Sequence, residues 1–199
     1  VPNAYHIDND TIIIERDLTE LDIFVKDFLN ILKKHSDYLI VSGYVSIATG
    51  RTRGTEDVDL LLPPLSEETF TQLFNELTEN GFWCYQGDSA DMAYKYIQEV
   101  NNIRFARSNQ MFPNMEIVPF NETKRTKSFE FNHPQKIKIK DFEFKIPQLE
   151  FEILYKELVL TGKKDIADAR HLRIFFVDIL KKEKFETYEA VIKYYENLG

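Results

Sequence analysis

Cysteine is almost absent: Cys84 is the only one in 199 residues. That excludes an internal disulfide and a zinc site built on cysteines, and its place in the apolar run Phe82-Trp83-Cys84-Tyr85 reads as core packing. Long hydrophobic runs are missing too. No stretch approaches the ~20 apolar residues that cross a bilayer, and no leader segment is visible, so a cytoplasmic location with no membrane partner is the default expectation. The chain opens at Val1 rather than methionine, and a few native residues are expected to precede it. Positive charge is also short, with 25 Lys and Arg against 33 Asp and Glu and a formal net charge of −8. Broad binding to nucleic acid, which phosphate neutralisation drives, is therefore disfavoured, while a local basic groove is not.

What is present is ordinary in bulk, 43% apolar and 29% charged, and long enough for one good core with a small helical appendage. The stretch Tyr38 to Leu62, YLIVSGYVSIATGRTRGTEDVDLLL, organises the rest. It reads as strand, tight turn, short helix, basic loop and strand. Asp57 and Asp59 stand two apart on the second strand, so their side chains share a face while Val58 and Leu60 turn to a core. Adjacent carboxylates repel each other; a divalent cation relieves them, and hard oxygens on a rigid strand suit Mg²⁺, or Mn²⁺ in its place. Gly43 is expected to hold a backbone conformation that other residues avoid, with the helix Tyr44 to Ala48 aiming its first amides at the turn as an anion site. Arg51 and Arg53, just ahead of the acidic pair, are candidates for phosphate oxygens, or else solvated loop charges.

Upstream, Thr11 to Glu15 is a short strand or an extended arm. Leu21, Phe24, Val25, Phe28, Leu29 and Leu32 recur at three and four over Leu18 to His35, an amphipathic helix closed by Lys33, Lys34 and an exposed His35. Downstream, Ser66 caps a helix stopped by Asn80-Gly81, Phe82 to Tyr85 is a strand, and a short helix runs from Asp88 or Ser89 through Ile97. Ile103 to Arg107 and Met115 to Val118 are further strands. Glu116 interrupts the second one, where a carboxylate needs a cation, a partner or solvent. Asn121 to Ser128 is read as a polar linker. Lys136, Lys138 and Lys140 alternate with Ile137 and Ile139, as guards against edge pairing or as contacts to a phosphate-bearing acceptor such as tRNA, and Phe142 to Ile146 is their hairpin partner. From Pro147 the chain is helical, over Leu149 to Leu160, Asp165 to Leu180 and Glu186 to Leu198, with a break at Gly162. Taken alone, Lys156 reads as an exposed helix lysine, Asp165 as an N-cap and His171 as a polar surface residue.

Val41-Ser42-Gly43, the basic run Arg51-Thr52-Arg53-Gly54-Thr55 and Asp57-Val58-Asp59 together resemble the signature of the nucleotidyltransferase fold superfamily, the DNA polymerase beta-like group. That signature is a hydrophobic strand ending in Gly-Gly or Gly-Ser, a gap, and then Asp-x-Asp; here Ser42 stands where the family has glycine. Ile146-Pro147-Gln148-Leu149-Glu150, then Lys156, then Gly162-Lys163-Lys164-Asp165-Ile166-Ala167-Asp168 look like the C-terminal part of the branch that includes the AbiEii-type toxins.

The resemblance implies an α/β (α+β) fold, a mixed β-sheet flanked by helices over residues 1–146, with a helical segment over 147–199 that completes the nucleotide pocket in one compact unit. It implies Asp57, Asp59 and Glu116 as catalytic metal ligands, with Glu143 the runner-up for the third. Ser42, Gly43, Arg51, Arg53, Lys156 and Asp165 become the nucleotide contacts, with Asp165 and Asp168 ordering or capping the turn. The implied activity is Mg²⁺-dependent (or Mn²⁺-dependent) transfer of a nucleoside monophosphate from a nucleoside triphosphate, ATP among them, to the hydroxyl of a tRNA, a protein or a small molecule. A toxin–antitoxin role brings a cognate antitoxin or other subunit as candidate partner. The alternative is a noncatalytic nucleotide-sensing or partner-binding module, for which Ser42, and Glu116 in place of the commoner aspartate, are the reasons. A metal-dependent phosphodiesterase is a third reading, disfavoured because no histidine lies near the acidic pair.

Overall fold

The computed structural model describes residues 4–199; the first three residues of the unit expected over 1–146 lie outside it. The strands are β1 (Tyr5–Asp8), β2 (Thr11–Ile14), β3 (Leu39–Val41), β4 (Asp57–Leu62), β5 (Phe82–Cys84), β6 (Ile103–Arg107), β7 (Asn114–Pro119), β8 (Pro134–Ile139) and β9 (Phe142–Pro147). They form two mixed sheets rather than one. The first has the order β1-β2-β8-β9, and the second β3-β4-β7-β6-β5 with β4 and β7 parallel at its centre. The helices are α1 (Glu20–Leu32), α2 (Gly43–Ala48), α3 (Glu67–Glu79), α4 (Ala90–Gln98), α5 (Arg125–Phe131), α6 (Leu149–Tyr155), α7 (Lys163–Phe175) and α8 (Lys182–Tyr195). Among the described residues no helix is long and apolar enough to cross a membrane.

The inner face of the second sheet explains why this order is stable. Val58, Leu60, Leu62, Met115, Ile117, Ile103 and Phe105 alternate inward and are buried, and Phe105 meets Phe28 of α1 and Phe74 of α3 at ring separations of 5.8 and 5.9 Å. Helix α1 begins in a capping box: Thr19 Oγ1 accepts the Asp22 N–H at 3.2 Å, and Asp22 Oδ2 accepts the Thr19 N–H at 2.7 Å. The same buried Asp22 accepts from Arg16 and, at 2.6 Å, from the Tyr44 hydroxyl, which ties α1 to α2 beneath the β3–α2 turn. Burial pushes the Asp22 carboxyl up, but these bonds outweigh it and hold it below the ordinary value.

Several expectations are corrected. His35 is not an exposed cap residue; its side chain is 14% exposed and pairs with Glu76 of α3, as Lys34 does. The expected linker Asn121 to Ser128 supplies the first half of α5, because Thr126 and Glu130 turn inward and Phe129 packs on Phe151 and Tyr188. Burial of that face makes a helix of a segment whose pattern is too polar to declare one. Strand β8 is no edge: it pairs with β2 on one side and β9 on the other, so its lysines only line a solvated face. Of the two readings of Thr11 to Glu15, strand or extended arm, the strand is the one observed, as β2, and it forms a hairpin with the unforeseen β1. The helix begun at Leu149 widens into a π-helical turn over Lys156–Leu160 and stops at Thr161 with φ +58°, and the next helices span 163–175 and 182–195 rather than Asp165–Leu180 and Glu186–Leu198.

Candidate functional site

Register brings the acidic residues together. Across the parallel β4–β7 pair, Asp57 lies opposite Asn114 and Asp59 opposite Glu116; across β6–β7, Arg104 lies opposite Glu116. Because side chains alternate, Asp57, Asp59, Glu116 and Arg104 all fall on the outer face of the sheet, half-buried. Asn114 is fully buried and donates to Asp57 Oδ1 at 2.7 Å; Asn102 and Arg104 donate to Glu116 Oε1 at 3.0 and 3.3 Å.

Asp59 has no such cation. Burial, then a hydrogen bond with Glu116 and that group's charge, raise its pKa to about 7, against the Ser42 hydroxyl, which donates to it. Burial also pushes Glu116 up, but Asn102, Asp59 and Arg104 outweigh it and keep its pKa low. The two carboxyls therefore share a proton near neutral pH, with Asp59 pushed up and Glu116 held low.

Among the described residues no group of three or more His, Cys, Asp or Glu side chains is arranged to hold a metal ion, and Asp57 is turned to Asn114. The donor set nevertheless fits a hard divalent cation, since all three groups offer carboxylate oxygen and two of them already need a positive species between them. Glu143 is not part of this group. It is exposed on β9 in the other sheet, beside Lys33 and Lys145.

The turn before α2 departs from expectation in an informative way. The strained residue is Ser42, at φ +65° and ψ −138°, a conformation natural to glycine, whereas Gly43 is needed for its missing side chain: a Cβ there would collide with Arg53 Nη2. The Ser42 N–H lies beside the Glu152 carboxylate of α6 and its hydroxyl beside Asp59, and each lowers the pKa of the carboxyl it faces. Helix α2 has six residues, and the Arg53 guanidinium covers its first one.

Arg53 belongs to a second charged group. Its Nε and Nη2 donate to the two oxygens of Asp168 at 3.1 and 3.0 Å, and Arg51 Nη1 approaches Asp168 Oδ1 at 3.1 Å. Lys156 Nζ lies 3.3 Å from Asp168 Oδ2 and 3.4 Å from Glu152 Oε1. Lys156 and Asp168 are both fully buried, so the exposed-lysine reading of Lys156 is wrong. Three cations face two carboxylates, and Arg51 Nη1 is buried without a well-formed hydrogen bond. Burial raises Glu152 against the opposing pull of Lys156.

No family model matches the chain, and no curated protein matches it. Among solved structures, it superposes on an antigenic nucleotidyltransferase-like protein from Paracoccidioides brasiliensis with a TM-score of 0.51 at 14% identity, over 92% of this chain and 93% of that one. It also superposes on the lincosamide antibiotic adenylyltransferase LnuA in its lincomycin-bound form, with a TM-score of 0.50 at 14% identity, over 80% of this chain and 99% of that one. The fold is nucleotidyltransferase-like. The mixed α+β architecture expected from the sequence is thus the one observed, built on two sheets.

Within that nucleotidyltransferase-like fold the predicted site residues separate. Asp57, Asp59 and Glu116 share one face, joined to Ser42 through Asp59. Arg51, Arg53 and Lys156 converge on Asp168. Asp165 stands apart: it accepts the Gly162 N–H at 3.1 Å and caps α7. His171 is not a surface residue but turns inward, with Nε2 3.1 Å from Thr49 Oγ1, and burial, then the Arg51 charge, lower its pKa. Asn102, Arg104, Asn114 and Glu152 were missed. Arg104 and Asn114 flank the site only through strand register, and Glu152 carried a weak signal, one turn before Lys156.

Proposed function

We propose that this chain is a metal-dependent nucleotidyltransferase that moves a nucleoside monophosphate from a nucleoside triphosphate to an acceptor hydroxyl. The observation that carries the reading is the in-register contact of Asp59 with Glu116 beside Asp57, a carboxylate face held on rigid strands with more negative charge than it neutralises. Asp57, Asp59 and Glu116 would hold Mg²⁺ or Mn²⁺. When bound, such an ion stabilises charge on the transferring phosphate and activates the attacking oxygen.

The chain's own residues do the rest. Asn114 orients Asp57, while Asn102 and Arg104 fix Glu116. Ser42 holds Asp59 in place. Arg51, Arg53 and Lys156 are the triphosphate contacts, drawn from Asp168 by an anion of higher charge; Arg51 Nη1, which lies near Asp168 without a well-formed hydrogen bond, supports this. Asp165 orders the turn that carries Asp168. In this reading the helical segment over 147–199 completes the pocket of one unit, because Lys156 and Asp168 come from it and Arg51 and Arg53 from the segment over 1–146. Catalysis is then mainly positioning and charge.

The finer placement, an AbiEii-like toxin with a cognate antitoxin, rests on the C-terminal motif, and a cytoplasmic site of action is the default expectation for a chain without a long apolar run. The acceptor class stays open among tRNA, protein and small molecule. Calorimetry of nucleoside triphosphates with and without Mg²⁺ tests the reading. Metal-dependent binding, lost in the Asp57→Asn, Asp59→Asn double variant, is expected; a folded wild type that binds none overturns it.

A second reading, a noncatalytic nucleotide sensor or partner-binding module, is favoured by the Arg53 guanidinium covering Gly43 and by the strained Ser42. In that case Asp57→Asn leaves partner affinity unchanged.

A further inference from the structure

Beside the loop that leads into Asp57 lies a cavity of about 620 Å³, within the range of about 300–1,000 Å³ usual for small-molecule sites. Its apolar wall is Leu21, Ile23 and Phe24 of α1, faced by Phe112 and Pro113 from the β6–β7 loop. Large apolar side chains stand open at its mouth: Ile23 is 45% and Phe112 51% exposed, with the neighbouring Met111 at 53%. A monomeric protein seldom leaves such a group together in water without a use for it. The loop that carries two of them is held in place, since the Trp83 Nε1–H donates to the Gln110 carbonyl at 2.8 Å and the Tyr85 hydroxyl to that of Met111. The wall is therefore preformed.

The polar lining is Glu20, Arg53, Thr55, Arg107 and Gln110, with Arg107 and Arg53 as its cations. Arg107 lies over the rings of Phe24 and Phe82 and uses Nη2 on Asp27 at 2.7 Å, which leaves its other donors for the cavity. Thr55 and Arg53 form the side nearest the carboxylates. Thr55 Oγ1 donates to the Asp57 carbonyl at 2.8 Å, and Pro113 directly precedes Asn114, the residue that orients Asp57. One end of the cavity is thus formed by the segment that leads directly into Asp57, and Thr55 there reaches the Asp57 backbone.

We propose that this cavity is the acceptor site, and that its acceptor is a small amphipathic molecule with an apolar ring body and an anionic group. The body lies between Ile23 and Phe112, and the anion meets Arg107. A long RNA acceptor does not suit the apolar wall or the net charge of −8. Assigning the occupant as acceptor rests on the transferase reading; the existence of the site does not.

Anilinonaphthalene sulfonate has the required chemistry, and its titration into the whole chain, followed by its own emission and by Trp83, the single tryptophan, tests the site. Saturable binding to one site is expected, weakened about tenfold by Ile23→Glu and by Phe112→Ser and retained in Asp57→Asn. Arg107→Gln should remove the preference for this probe over neutral phenylnaphthylamine. If Ile23→Glu and Phe112→Ser, shown to be folded by their melting curves, bind the probe as the parent does, there is no site here. Adding a nucleoside triphosphate with Mg²⁺ then separates the two readings. Simultaneous binding supports an acceptor site, and mutual displacement assigns the cavity to the nucleotide and overturns the proposal. Probe binding without any nucleotide binding leaves the cavity as a ligand site but removes both the transferase reading and the acceptor assignment.

Discussion

The two charged groups of this molecule are built on opposite principles. On the outer face of the sheet, Asp59 and Glu116 are set opposite each other by strand register, and the chain supplies Asp59 with no cation, so that a proton is held between them near neutral pH. Around Asp168 the charges are compensated internally, with Arg51, Arg53 and Lys156 gathered on Asp168 and Glu152 in a buried cluster. One group is strained by its own charge and open to a cation. The other is compensated as it stands, and in the proposed function it gives up cations only to a stronger anion. A buried pair costs most when it is broken and a repelling pair when it is kept, so substitutions in the two groups should have opposite signs.

The largest effect is expected from Lys156→Ala. It leaves Glu152 and Asp168 buried with one cation fewer, and should cost about 3–5 kcal/mol in urea denaturation. A loss under 1 kcal/mol would break the comparison from the buried side. Asp59→Asn acts the other way: at pH 8 it removes the repelled carboxylate and should stabilise the fold by about 1–2 kcal/mol while abolishing metal-dependent nucleotide binding.

The pH dependence sharpens the same contrast. The folded-state pKa of Asp59, about 7, lies above its unfolded value, so its stabilising contribution is fully present below that unfolded value and is lost as pH rises through 7. Asp22, with its pKa held low by Arg16, Thr19 and Tyr44 against burial, contributes above its unfolded value and loses that contribution as pH falls through its folded one. Denaturation from pH 5 to 8 should show declining stability that flattens in Asp59→Asn; an unchanged slope in that variant would remove Asp59 as its source.

The smallest effect belongs to Ser42. Relief of backbone strain there, about 1–3 kcal/mol, is offset in part by glycine's greater freedom in the unfolded chain, about 0.5–1 kcal/mol, and by loss of the hydroxyl beside Asp59, so Ser42→Gly should raise the melting temperature by only a degree or two, whereas Ser42→Ala keeps the strain and should not. Equal melting temperatures for the two variants would mean that Ser42 is not strained.

The same contrast governs what was legible in the sequence. Asp57 and Asp59 were readable because a strand repeats every two residues and the pattern is local. Glu116 followed from a carboxylate out of place in an apolar strand. The Asp168 cluster was only partly readable, since Arg53 and Asp168 are 115 positions apart and their pairing depends on how α7 packs beside α2. The conformation expected at Gly43 belongs to its neighbour: Ser42 bears the strain, and Gly43 itself makes room for Arg53. The split into two sheets was hidden as well, because the pairing of β2 with β8 spans most of the chain and depends on long-range contacts.

The central claim is that the carboxylate face is built for a cation that takes the place of its shared proton. Calorimetric titration with Mn²⁺ at pH 6, repeated in buffers of different ionisation enthalpy, tests it directly, since each proton released contributes the buffer's own heat. The account predicts binding with release of about one proton, and no release in Asp59→Asn. Binding without proton release, or no binding by the folded wild type, would contradict it.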